Sequence, residues 1–248
     1  MITPREEPSR LQRRTYQTDY VRSLFDRIAP RYDILNHILS SGIDVLWRRR
    51  AIDLLVQVGP KEILDLATGT GDFAFECARL HPRQIRGVDI SRAMMELARI
   101  KAEHRGLSGL VSFEEGAAEH LPFGDETFDA ATIAFGVRNF SDLDLGLREV
   151  FRVLKPHGAF IVLEFSKPRA SIVNTLYGFY SSRILPLVGG WISGSREAYS
   201  YLPETIRTFP DGEAFAGILR KTGFNSVRIL PQTFGIATIY HAAKGTIG

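Results

Sequence analysis

The stretch LDLATGTGDFA, residues 64–74, carries the residues with the clearest chemistry. Gly69 and Gly71 flank one threonine and Ala74 follows, which meets the G-x-G-x-x-G/A spacing of a nucleotide-cofactor turn. Glycine lacks Cβ and tolerates positive φ, so such a turn brings backbone close to a ligand. Asp89 closes the next apolar run, IRGVDI, 18 residues after Gly71 (89 − 71). An acid at that place can hold both hydroxyls of a ribose. A nicotinamide dinucleotide and S-adenosylmethionine would both use these groups. Asp65, four residues before Gly69, separates them. A carboxylate there can accept from an ammonium group or pin the loop. The aminoacyl end of S-adenosylmethionine offers that ammonium, whereas a dinucleotide has no need of an acid at this point.

These groups need a parallel sheet to position them. Residues 1–17 read as a loose tail. From Tyr20 the pattern is helical, with Val21, Leu24, Phe25 and Ile28 on one face, and Pro30 interrupts it. A helical segment resumes and is predicted to stop at Gly42; another follows, with Trp47, Ala51, Leu54, Leu55 and Val58 on a shared face. Strands are predicted at 62–67, 85–90, 110–114, 128–137 and 159–165, alternating with helices, and Ser91 is predicted to cap the helix after strand two. The segment KPHG reads as the turn into strand five. After a helix near 212–222, NSVRIL and IATIYHAAK flank a short turn, so the chain ends in an antiparallel hairpin at the sheet edge. The expected organisation is α/β: one domain, 18–248, with a helical cap at 18–58 and a lid-like insertion at 168–210.

Composition narrows the function classes. The 248 residues are 44% hydrophobic and 24% charged with a net charge of +3, an ordinary globular balance with no Lys/Arg block for nucleic acid. The lone Cys77 excludes an internal disulfide and fits core packing in a reducing compartment. The six histidines show no paired spacing, so no metal site is expected. There is no nucleophile-elbow Ser and no P-loop Lys. The polar, basic first 20 residues lack the apolar core of a signal peptide, and no run of about 18 apolar residues suggests a span. A cytoplasmic protein is expected, with contact to the inner face of a membrane left open.

Longer stretches carry a family resemblance. Asp65, the glycine turn, Asp89, LPFGDETFD, REVFRVLKPHG and the closing hairpin together resemble a class I S-adenosylmethionine-dependent methyltransferase, a Rossmann-like fold with a mostly parallel seven-stranded sheet. YDILNHILSSGIDVLW (32–47), FGVRNF (135–140) and RVLKPHGAFIVLEFS (152–166) resemble the signatures of the quinone-biosynthesis C-methyltransferases. The resemblance runs from about Tyr20 to Lys244. It departs at Asp44, where many members carry His, at His157, where Gly or Met is usual, at Ala134 in place of Ser, and at Ala117 in place of Asn or Asp.

The resemblance implies that Thr68, Asp89, Ala117 and Ala118 bind S-adenosylmethionine, beside Asp65, Gly69 and Gly71 from the physical reading. It implies C-methylation of a prenylated quinol, demethylmenaquinol to menaquinol, or the equivalent step of ubiquinone synthesis. The ring carbon becomes nucleophilic when a quinol hydroxyl loses its proton. Arg138, just past strand four, is placed to stabilise the phenolate or order a water that takes the proton, with Tyr32 and Asn36 lining the pocket. Peripheral membrane contact and a homodimer are compatible with this reading. A dehydrogenase, an O-methyltransferase and a non-catalytic cofactor-binding scaffold are the competing readings.

Overall fold

The computed structural model describes residues 10–33, 42–168 and 204–245. Asn36 and most of the lid-like insertion lie outside the described residues.

Strands β1 (Glu62–Leu66), β2 (Gln84–Asp89), β3 (Val111–Glu115), β4 (Phe128–Ala134) and β5 (Leu154–Phe165) run parallel. β6 (Ser226–Gln232) and β7 (Ala237–Ala243) form the hairpin, and β7 inserts antiparallel between β5 and β6. The order is β3-β2-β1-β4-β5-β7-β6. It reverses direction between β1 and β4, where an open α/β sheet leaves a crevice beyond its carboxyl ends.

β1 is buried at every position, as a central parallel strand covered on both faces must be. One face packs Ile63, Ala130, Ile161 and Ile239 under α2 (Ile43–Asp53), α3 (Asp72–Cys77) and α4 (Arg92–His104). The other packs Leu64, Ile133, Phe160 and Tyr240 under α5 (Leu143–Val153) and α6 (Glu213–Thr222). Cys77 is a buried free thiol of the first face, pushed well above its usual pKa chiefly by burial. The Ser91 hydroxyl accepts from Met94 N and caps α4, as the sequence suggests.

Several boundaries differ from the sequence reading. Helix α1 runs Arg10–Ile28, so residues 10–17 are helical rather than a loose tail. Pro8 is the last proline before Pro30, and polarity alone does not break a helix. Gly42, expected as a helix stop, has φ +75 at the N-cap of α2. β4 ends at Ala134 because Phe135 adopts φ +58 and turns the chain out of the ladder. KPHG is not a turn before β5 but lies within it. His157 at φ +65 and a register shift opposite Phe128 and Ala130 make that stretch a bulge.

Candidate functional site

A cleft opens at the carboxyl edge of β1, β2 and β4, at the reversal of strand order. Its non-atom space is about 720 Å³ with the solvent opening included. The floor is the backbone after β1 (Ala67, Gly69) and after β4 (Phe135, Gly136). These two loops approach so closely that a Cβ on Gly136 would lie 2.5 Å from Ala67 Cβ. Asp89 and Ile90 form one wall, Gly116, Ala118 and Glu119 another, and Val21 and Phe25 of α1 close the cleft together with Tyr32.

Asp89 organises the glycine turn. Its Oδ2 accepts from Gly69 N at 2.7 Å and its Oδ1 from Ser91 N at 2.8 Å. A carboxylate has about four acceptor sites, so two amide bonds leave capacity for ligand hydroxyls. Burial raises its pKa to about 6 against the pull of the Ser91, Gly69 and Ile90 amides. Gly69 sits at φ +55, and a Cβ there would meet Tyr32 Cε1 at 4.0 Å. Gly71, at φ +87, has a different constraint: a Cβ would fall 2.7 Å from Phe75 Cζ. Its smallness lets α3 seat beneath the turn.

Asp65 lies under the turn, fully buried. Thr68 Oγ1 donates to its Oδ2 at 2.6 Å and Thr132 Oγ1 to its Oδ1 at 2.7 Å. Burial, opposed by these hydroxyls, raises its pKa to about 6. Of the sequence-derived candidates, Tyr32, Gly69, Asp89 and Ala118 line the cleft, whereas Asp65, Thr68, Gly71, Ala117 and Arg138 are not on its wall. Arg138 instead donates from Nη1 to Glu164 Oε1 and to the Phe135 carbonyl, each at 2.5 Å. Its side chain is 6% exposed and its Nε is buried without a hydrogen-bond partner. Glu164, wholly buried, is raised in pKa by burial, with the Arg138 guanidinium opposing.

Sequence reasoning missed the contribution of α1 and of Glu119. An amphipathic pattern says that one helix face is buried, not what it covers. Here Arg22 Nε donates to the Ile90 carbonyl, and Asp26 Oδ1 accepts from Ser91 Oγ at 2.5 Å, fastening α1 over the cleft. A second fastening joins the segment after α1: Lys101 Nζ donates to Asp33 and Asp72, and Thr70 Oγ1 donates to Asp33. Glu119 Oε1 accepts from Ser141 N, Ser141 Oγ and Asp142 N, holding the loop into α5.

The electrostatics separate the two cofactor readings. Among the described residues the wall carries the carboxylates of Asp89 and Glu119 and no cationic side chain. A pyrophosphate would have the backbone amides of the turn but would lie beside two carboxylates. S-adenosylmethionine, with its sulfonium and ammonium charges, fits a wall of two carboxylates and apolar surface. Asp89, Gly69 and Ala118 share this wall.

The comparisons with known proteins agree. An S-adenosylmethionine-dependent methyltransferase from Thermotoga maritima superposes with a TM-score of 0.62 at 22% identity, covering 90% of this chain and 99% of that one. Another, from Methanococcus maripaludis, gives 0.63 at 20% identity over 90% and 95% of the two chains. At such identities the likeness shows the fold, that of the class I methyltransferases. The sequence similarities are higher. A demethylmenaquinone methyltransferase of Thermus thermophilus is 49% identical over 88% of this chain and 98% of its own. One of Bacteroides fragilis is 46% identical over 92% and 94%. A ubiquinone/menaquinone biosynthesis C-methyltransferase UbiE of Geobacter sulfurreducens is 44% identical over 95% and 92%. The ubiE/COQ5 methyltransferase family matches across residues 13–244, nearly the whole chain, and the protein belongs to that family.

Proposed function

We propose that the protein is an S-adenosylmethionine-dependent C-methyltransferase that converts demethylmenaquinol to menaquinol. The observation that carries the reading is the near-full-length similarity to relatives named demethylmenaquinone methyltransferase at 46% and 49% identity. The fold alone leaves the acceptor atom open.

When bound, S-adenosylmethionine supplies an electrophilic methyl group. The chain's residues then have four tasks. Asp89 accepts the ribose hydroxyls, while Gly69, Ala117 and Ala118 present backbone to the cofactor. Asp65 and Thr68 hold the glycine turn from below, and Gly71 lets it sit on α3. Arg138 takes the acceptor side. Its bonds to Glu164 and the Phe135 carbonyl fix the guanidinium, buried behind the loop after β4. Its positive charge, held behind the cleft floor at Phe135 and Gly136, favours a phenolate on a quinol in the cleft, and the phenolate's charge activates the ortho carbon. Arg138 is a permanent cation, so it stabilises the phenolate or orders a water rather than serving as the base itself. Tyr32 covers the cleft and limits water.

The same reading includes a prenylated substrate, a cytoplasmic protein that touches the membrane peripherally, and a homodimer. Mass spectrometry of products from the purified chain, S-adenosylmethionine and each chemically reduced quinol tests it. A ring methyl on demethylmenaquinol alone is expected. Methylation only of the benzoquinol precursor of ubiquinone would move the protein to that branch. No methylation of either, with cofactor still bound, would overturn the enzymatic assignment.

A further inference from the structure

Three large apolar side chains stand in solvent near the carboxyl edge of the sheet. Phe234 is 79% exposed at the tip of the β6–β7 hairpin, and Ile43 and Leu46 are 38% and 47% exposed in the first turn of α2. Their common location follows from the topology. α2 leads through residues 54–59 to the start of β1, so it runs opposite to that strand and its first turn lies at the edge where the cleft opens. β7 begins at Ala237 opposite Phe165, the last residue of β5, so the hairpin tip is at that edge too.

The two pieces are fastened together. Trp47 Nε1 donates to Thr233 Oγ1 at 2.8 Å, and Arg50 Nη1 to Gln232 Oε1 at 3.1 Å. Leu46 precedes Trp47 and Phe234 follows Thr233, so the apolar tips are carried on one braced rim. The tip holds Phe234 outward in the left-handed region at φ +57, beside Thr233 at φ +43. A bulky residue rarely adopts that backbone. The exposed stripe of α2 changes character away from the edge: Arg49 and Arg50 follow one turn on, then Asp53. Arg49 reaches Glu76 only at 3.8 Å and is 58% exposed, while Asp53 is engaged by Arg79 at 3.3 Å.

We infer that this rim seats on an anionic lipid bilayer, with Ile43, Leu46 and Phe234 entering the boundary of the hydrocarbon and Arg49 and Arg50 meeting lipid phosphates. Apolar tips at one end of a helix with cations one turn behind match the order and the charge of an interfacial anchor. The inference rests on the quinol reading for its purpose, because a prenylated acceptor resides in the bilayer and the rim turns the cleft's edge toward it. Among the described residues no helix is long and apolar enough to cross a membrane.

Sedimentation of the full chain with vesicles tests this directly. Vesicles of phosphatidylglycerol with phosphatidylcholine are compared with phosphatidylcholine alone, for the native chain and for L46D, F234D and the pair R49E/R50E. L46D and F234D are each expected to lower the vesicle-bound fraction about tenfold. R49E/R50E is expected to abolish the preference for anionic vesicles. V56D is the control: Val56 is 61% exposed but lies past the far end of α2. It should bind as the native chain does. Unchanged cofactor titration shows that each variant is folded. Native-like binding by L46D and F234D would overturn the inference. So would a native dimer that these changes make monomeric without any vesicle binding, since a second copy would then cover the rim. Vesicle binding is read without turnover. Intact binding with no methylation of any quinol would sink the proposed reaction and leave the lipid seat standing.

Discussion

The two sides of the sheet's carboxyl edge, proposed above for the cofactor and for the acceptor, use charge in opposite ways. Beyond β1, β2 and β3, the charged groups at and beneath the cleft are acids that hold loops in place. Asp89 takes the Gly69 and Ser91 amides, Glu119 takes Ser141 and Asp142, and Asp65 takes two threonine hydroxyls. Beyond β4 and β5 the charges are buried ion pairs. Arg138 pairs with Glu164, and Arg48 with Asp44, with the Phe135–Phe165 stack between them at 4.4 Å. Each arginine lies 5.7 Å from one ring of the stack, and each keeps a buried Nε with no partner. One side therefore has acceptors to spare and the other keeps its cations buried. In the proposed function the acceptors suit a cofactor that brings hydroxyls and cationic groups, and the buried cations suit an acceptor ring that turns anionic. Asp44 belongs to the second side, since its carboxylate fixes Arg48.

The sharpest test of this division is R138M. Removing a preorganised cation from a developing anion is expected to lower kcat about 10²–10³-fold while leaving the cofactor Kd within a factor of about two. A comparable loss of cofactor affinity would erase the distinction between the sides. The reciprocal change, D89A, removes the acceptor for Gly69 and Ser91 along with the proposed ribose contact. Calorimetric titration is expected to show cofactor binding about 100-fold weaker, equivalent to about 3 kcal/mol. Native affinity in D89A would remove Asp89 from the site.

A smaller effect follows from pH. Burial raises Asp89 and Asp65 from 3.8 to about 6, so both gain protons as pH falls through that value. Cofactor affinity is expected to drop about tenfold between pH 8 and pH 5, and D89N should bind weakly with a flatter profile. The same shifts act oppositely on the cofactor-free fold. Because the folded values are raised, their stabilisation is complete below pH 3.8 and is lost as pH rises through 6. Cofactor-dependent stabilisation in thermal melts should therefore grow from pH 5 to pH 8.

The smallest effect lies outside both halves of the site. His241 on β7 is buried with neither ring nitrogen hydrogen-bonded, and burial first, then Arg228, lowers its pKa below 6.5. Its neutral form is favoured, so its contribution is present above pH 6.5 and lost as pH falls below it. H241L is expected to raise the melting temperature by about 2–4 °C at pH 7 and to blunt acid unfolding, with kcat unchanged. A changed kcat would extend the acceptor side across to β7.

The sequence by itself determined the strand-helix alternation, the antiparallel hairpin, the Ser91 cap and the two acids near the glycine turn. Each depends on local spacing: periodicity of apolar residues, glycine where φ is positive, an acid at a strand end. It did not determine what those acids face. Asp65 read as a ligand for an ammonium or as a pin for the loop. Thr132 meets Asp65 only because β1 and β4, far apart in the chain, are neighbours in the sheet. Glu164 likewise reaches Arg138 only once β5 lies beside β4. The polar stretch before Tyr20 gave no sign of its helix, because the apolar face that encodes α1 begins later, and the cleft it closes exists only after the sheet has formed. Spacing along the chain fixes which groups are present and on which element. Their partners, and so their burial, protonation and spare hydrogen bonds, are decided when distant strands come together.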